Sequence, residues 1–162
     1  MRRTLICLLS LCICASSCFK KNNGCGVQKN IVASSTEQME VKAYLDSNGI
    51  TASLNSFGFF YKIVNEGSGA TPNLCSRVYV SYKGQLTDGT VFEQDNNQIF
   101  TVGDLIEGWQ KGIPLIQPGG EIKLYIPPSL GYGSTGLTDG NSNVIVPPNS
   151  ILVFDITLLS IQ

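Results

Sequence analysis

Val78-Tyr79-Val80-Ser81-Tyr82-Lys83-Gly84-Gln85-Leu86-Thr87-Asp88-Gly89-Thr90-Val91-Phe92-Glu93 holds two strand-like runs on either side of a turn. Val78, Val80 and Tyr82 alternate with Tyr79, Ser81 and Lys83, so one face is apolar and the other mixed. A half-solvated antiparallel strand requires that period of two. Asp88-Gly89 suits a tight hairpin turn, because glycine accepts the positive φ such turns need. The same alternation recurs outward along the chain. Phe59, Tyr61 and Ile63 alternate with Phe60, Lys62 and Val64, and Ile122, Leu124 and Ile126 with Glu121, Lys123 and Tyr125. Leu152, Phe154, Ile156 and Leu158 alternate with Ile151, Val153, Asp155 and Thr157. One sheet face is thus expected to be core, and Phe60, Tyr79 and Tyr125 are expected on the outer face.

Two stretches break into helical spacing. From Leu105 to Ile116, Ile106, Trp109 and Ile113 fall three and four residues apart and share one face. A helix that short is marginal alone and must pack on the sheet. Upstream, Ser35 or Thr36 is placed to cap a helix running to about Ser47, with Glu37 and Glu40 in its first turns where negative charge suits the helix dipole. Met39, Ala43 and Leu45, with Val41 and Tyr44, form its imperfect apolar stripe, and Asn48-Gly49 stops it. The expected class is α+β: a curved antiparallel sheet holding one short helix, preceded by an N-terminal helix.

Composition narrows the chemistry. The chain has 162 residues, 14% of them charged, with 11 Lys and Arg against 12 Asp and Glu. No basic excess is present to neutralise phosphates, which disfavours nucleic-acid binding. Histidine is absent. Ser-His-Asp and Cys-His catalysis, His-ligated zinc and imidazole acid–base chemistry are therefore excluded.

The amino terminus reads as a targeting segment. Arg2 and Arg3 precede an apolar run from Leu5 to Ala15 that is shorter than the roughly 20 residues of a membrane-spanning helix. Ala15-Ser16-Ser17-Cys18 resembles a bacterial lipobox, after which Cys18 becomes the lipidated first residue; Ala15 replaces the usual leucine. The alternative is an ordinary signal peptide with an incidental cysteine. Cleavage after residue 17 leaves 9 basic and 12 acidic side chains, a net charge of −3. Residues 18–35 read as a flexible tether and 36–56 as a helix and linker, leaving 57–162 as the globular domain. The expected location is the bacterial cell envelope, lipid-anchored to a membrane and facing the periplasm. Cys25 and Cys75 either pair in that oxidising setting or stand as two separate thiols.

Taken in order, the Val78–Glu93 stretch, Ile106-Glu107-Gly108-Trp109-Gln110-Lys111-Gly112-Ile113, Ile126-Pro127-Pro128-Ser129-Leu130-Gly131-Tyr132-Gly133 and Ile145-Val146-Pro147-Pro148-Asn149-Ser150-Ile151-Leu152-Val153-Phe154 resemble the FKBP-type peptidyl-prolyl cis-trans isomerases. The resemblance covers roughly residues 57–162. It implies a half-barrel of antiparallel strands around the short helix, with an apolar pocket that accepts a proline ring. It assigns catalytic positions to Tyr82, Phe92, Trp109, Tyr132 and Phe154, with Trp109 as the floor. Glu93, Leu105, Ile106, Ile145 and Val146 become substrate contacts, with Ile145 and Val146 in a loop closing over one side. The Ile106 N–H and the Tyr132 hydroxyl are the implied donors to substrate carbonyls. No cofactor or metal is implied. Proline-containing polypeptide clients are the implied partners, macrolides of the rapamycin type are implied ligands, and a tethered monomer is the default state.

Three departures from the family pattern stand out. Glu93 takes the place of the usual aspartate and is expected to shift a carboxylate–tyrosine contact with Tyr82 or Tyr132. Gln98 replaces an aromatic and thins one wall, and the loop from Thr135 to Asn143 is long and flexible by composition. Glu93 and Gln98 favour an alternative: the same fold acting as a binding or chaperone module with little turnover. A third class, a glycan-binding lipoprotein, would rest on the outer-face aromatics Tyr79, Tyr125 and Phe60. Singly, each pocket residue also has a plain reading as core, as a lone tryptophan usually does.

Overall fold

The strand Leu152–Ile161 is the axis of the molecule, because its alternating apolar side chains give it a buried face along most of its length. The computed structural model describes Cys25 and residues 29–162. In chain order the strands are β1 (Ser53–Leu54), β2 (Phe60–Asn65), β3 (Arg77–Leu86), β4 (Val91–Thr101), β5 (Glu121–Ile126), β6 (Leu137–Thr138), β7 (Val144–Val146) and β8 (Leu152–Ile161). Six form one antiparallel sheet in the order β1-β2-β5-β8-β3-β4, and β6 and β7 form a separate hairpin. β8 pairs with β5 on one side and β3 on the other. The β3–β4 turn is made as expected: Gly89 has φ 88°, and the Asp88 carboxylate accepts from the Thr90 N–H at 2.8 Å.

Helix α1 (Ser35–Ser47) covers one sheet face and helix α2 (Glu107–Gly112) lies on the other. On the α2 side, Leu124, Ile126, Phe154, Ile156 and Leu158 close around Trp109 and Ile113. This helix is shorter than the expected Leu105–Ile116. A 3₁₀ turn, Val102–Asp104, precedes it, and a second, Ile113–Leu115, follows where Pro114 has no N–H to continue the α ladder. Two glycines one turn apart let α2 lie flat on β5. A Cβ on Gly108 would stand 2.6 Å from the Ile126 side chain, and one on Gly112 would stand 2.5 Å from that of Leu124.

The outer face departs from expectation. Phe60 and Tyr125 are buried, not displayed, because α1 lays Val41 and Leu45 across them with Tyr44 at the margin. Met39, expected in the stripe, is 63% exposed. The helix begins one residue early. Ser34 is the N-cap; its hydroxyl accepts from the Glu37 N–H, and the Glu37 carboxylate accepts from the Ser34 N–H. The same carboxylate accepts from the Ser129 N–H at 2.8 Å and the Ser129 hydroxyl at 3.0 Å, which ties α1 to the end of β5. Burial opposes its ionisation, but these bonds from Ser34 and Ser129 prevail and hold the carboxyl below its ordinary value.

Part of the segment expected to be a flexible tether is fixed to the domain, at Cys25, Lys29 and Ala33. Cys25 is disulfide-bonded to Cys75, with their Cα atoms 5.0 Å apart. The Lys111 ammonium donates to the Lys29 carbonyl, and Ala33 is buried with its N–H donating to the Phe57 carbonyl. The 135–143 loop, expected to be flexible, contains β6 and the turn that joins it to β7, where Asp139 accepts from the N–H groups of Asn141 and Asn143. Cys18 and the targeting segment lie outside the described residues.

Candidate functional site

Trp109 sits at the middle of α2, where helical spacing turns it toward the sheet beside Ile113. Three rings stand edge-on to its indole. Tyr82 from β3 and Phe154 from β8 each have centroids 5.2 Å away, and Phe100 from β4 lies at 6.0 Å, all at 86° to the indole plane. The arrangement is an aromatic box with an indole floor and upright walls. A cavity of about 280 Å³ opens in it, lined by Tyr82, Glu93, Phe100, Asp104, Leu105, Ile106, Trp109, Tyr132 and Phe154. Trp109 is only 3% exposed, yet it faces this space and not packed neighbours alone.

Of the residues assigned from the family resemblance, Tyr82, Glu93, Leu105, Ile106, Trp109, Tyr132 and Phe154 come together around this space. The other three do not line it. Phe92 stands behind Phe154, its ring 5.5 Å from that wall and edge-on to it. Val146 is buried in the core, and Ile145 is half-buried against it. Phe100 and Asp104 line the cavity without having been assigned to it. Glu93 and Phe100 are an odd number of residues apart, which strict alternation would place on opposite faces. A register shift in the β3–β4 ladder between Val80 and Tyr82, whose partners are Gln98 and Asp95, falls between them and removes that conflict. Gln98 is exposed on β4 opposite Val80 and does not line the cavity, so the aromatic wall expected to be thin is supplied by Phe100.

Polar groups around the box are few and defined. The Tyr82 hydroxyl donates to Glu93 Oε1 at 2.7 Å, so the longer glutamate still reaches the tyrosine. Burial, then that hydrogen bond and the Glu93 charge, raise the Tyr82 pKa. Burial, followed by the Glu93 charge, raises that of Tyr132. Both hydroxyls thus keep their protons through neutral pH. Among the described residues, the Tyr132 hydroxyl has no hydrogen-bond partner, and the Ile106 N–H donates to no backbone carbonyl. The Trp109 Nε1–H is buried without an acceptor. Gln110, next to Trp109, donates to the Leu105 carbonyl at 2.7 Å and the Gly103 carbonyl at 3.2 Å, fixing the segment that carries Ile106.

A small aromatic box with unpaired donors at its rim is suited to one apolar ring with hydrogen-bonding groups on either side of it. Residues 69–159 match the family model described as FKBP-type peptidyl-prolyl cis-trans isomerase, and the chain belongs to that family. The FKBP-type isomerase FkpA of Escherichia coli K12 is 39% identical over 112 residues, covering 67% of this chain and 39% of the relative. The peptidyl-prolyl cis-trans isomerase Mip of Coxiella burnetii is 32% identical over 129 residues, covering 75% and 53%. This chain therefore spans about half the length, or less, of these curated relatives. The crystal structure of E. coli FkpA superposes with a TM-score of 0.67 at 34% identity, over 78% of this chain and 60% of that one. A peptidyl-prolyl isomerase structure from Pseudomonas syringae gives 0.67 at 25% identity, over 78% and 94%.

Proposed function

We propose that this protein accelerates cis–trans rotation of X–Pro bonds in exported polypeptides. The observation that carries the proposal is the box itself: indole floor, three upright rings, and the Tyr132 hydroxyl and Ile106 N–H left free to bond a substrate backbone. The prolyl amide resists rotation by about 18–20 kcal/mol because resonance gives its C–N bond partial double character. Its cis and trans forms differ by only about 0.5–1 kcal/mol, so the catalyst has a barrier to lower and little equilibrium to shift. At the twisted transition state the amide has lost resonance and charge separation. Apolar walls accommodate that state better than the planar, polar one. The box holds the pyrrolidine ring while the preceding carbonyl swings, and the rim donors fix the flanking chain so that rotation is confined to one bond. No proton changes hands, and the tyrosines serve as neutral donors.

The reading as a binder without turnover loses its two supports. Glu93 keeps its tyrosine contact, and the substitution at Gln98 falls outside the cavity. Glycan binding by outer-face aromatics loses Phe60 and Tyr125, which α1 covers.

Tyr132→Phe is the direct test. The ring is kept and one donor is lost, so kcat/KM on an Ala-Leu-Pro-Phe substrate in a protease-coupled assay is expected to fall about 5- to 10-fold, the equivalent of one hydrogen bond. Because the hydroxyl has no partner among the described residues, the melting temperature is expected to stay unchanged. Unaltered kcat/KM would remove Tyr132 from the mechanism.

The same proposal places the chain on a bacterial envelope membrane, lipid-anchored at Cys18, facing the periplasm and monomeric, with macrolides of the rapamycin type as competing occupants of the box. The lipobox-like run and the Cys25–Cys75 bond, which favours an oxidising compartment, support it. Metabolic acyl labelling is expected to mark the native chain and not Cys18→Ala. Equal labelling of both would move the anchor elsewhere.

A further inference from the structure

Charge around the aromatic box is one-sided. Glu93 and Asp104 line the cavity, and Asp95 stands opposite Tyr82 in the β3–β4 ladder. No lysine or arginine is among the lining residues. The lysines on neighbouring elements are engaged elsewhere. Lys83 lies 3.9 Å from Asp155, which also pairs with Lys123. Lys111 is buried, paired with Glu107 and bonded to the Lys29 carbonyl. Arg77 stands at the start of β3 opposite Thr101. Glu93 gives one oxygen to Tyr82, while Asp104 has neither hydrogen bond nor ion pair among the described residues.

The cavity beside these carboxylates is a binding site on independent grounds. The Trp109 indole N–H, in a residue 3% exposed, has no acceptor among the described residues. Among those residues the Tyr132 hydroxyl and the Ile106 N–H are unpaired donors as well. The Tyr132 and Ile106 donors suit the backbone of an occupant and the rings suit its proline, which leaves the carboxylates to act on its side chains. We infer that, among prolines with a charged neighbour, the box favours those beside lysine or arginine over those beside glutamate or aspartate. The inference rests on the isomerase reading of this site and names its substrate class.

Each exposed carboxylate contributes a factor of about 1.5 to 5 toward a nearby cation. A change from cation to anion adds repulsion to lost attraction, so the discrimination expected is about tenfold. Trp109 is the chain's single tryptophan, so its fluorescence reports occupancy of the box directly. The full chain is titrated with blocked Ala-Lys-Pro-Phe, Ala-Leu-Pro-Phe and Ala-Glu-Pro-Phe at low salt and again in 1 M sodium chloride. At low salt the Lys-Pro peptide is expected to bind about tenfold more tightly than the Glu-Pro peptide, and at high salt about twofold or less. Asp95→Asn combined with Asp104→Asn is expected to narrow the low-salt ratio similarly. If those substitutions unfold the protein, the salt titration of the unaltered chain decides alone. Equal dissociation constants at low salt, a ratio indifferent to salt, or no binding of any peptide overturns the inference. Isomerisation of the same peptides is read separately. Tight, charge-selective binding without turnover would remove the enzyme reading and keep the preference.

Discussion

Trp109→Ala is expected to lower kcat/KM on Leu-Pro peptides roughly 50-fold. In the proposed function the indole is the floor on which three ring methylenes of proline would rest; at about 0.8 kcal/mol each, their lost contact is about 2.4 kcal/mol. The same change removes the centre of an edge-on aromatic cluster shared by Tyr82, Phe100 and Phe154 and leaves a void in its place. Truncations of that size cost about 3–5 kcal/mol of stability. The two losses separate by experiment, with activity measured well below the variant's melting point and stability by thermal denaturation. A folded Trp109→Ala protein with full activity would mean that isomerisation occurs somewhere other than this box.

Cys75→Ser is expected to be the most damaging change remote from the cavity. The bond to Cys25 closes a loop spanning 50 positions. Loop-closure entropy sets its effect at up to about 4 kcal/mol, and a melting temperature roughly 10 °C lower follows for a chain of this size. The earliest consequence should be local. The Ala33 N–H, which donates to the Phe57 carbonyl, is expected to exchange with solvent faster in the variant and in the reduced native protein. Identical melting curves with and without reductant, in protein shown by thiol titration to be oxidised, would mean that the link carries no stabilisation.

Much of this architecture was legible because strand faces repeat every second residue. The alternation from Leu152 to Leu158 predicted its own burial, and Asp88-Gly89 predicted its own turn, since both depend on neighbours in sequence. Phe60 and Tyr125 were misplaced because their cover comes from α1, and no pattern within a strand records what a distant helix lays over it. The cavity wall from Phe100 was missed for a related reason. Register shifts decide which side chains of β4 face the indole, and shifts are settled by pairing with β3, not by the order of residues in β4. Trp109 and Tyr132 were reached through ordered motifs, because the rings that make them a site converge from three strands and a helix. Lys111, buried with Glu107 and gripping the Lys29 carbonyl, gave no advance signal, since a lysine in a helix is ordinarily solvated.

The bond between Cys25 and Cys75 also sets the route by which mechanical force enters the molecule. A pull exerted on the residues ahead of Cys25 passes through sulfur straight to the foot of the β3 strand, bypassing the Ala33 contact and the first helix. With β3 hydrogen-bonded to β4 on one edge and β8 on the other, that load enters the sheet at a strand held on both sides.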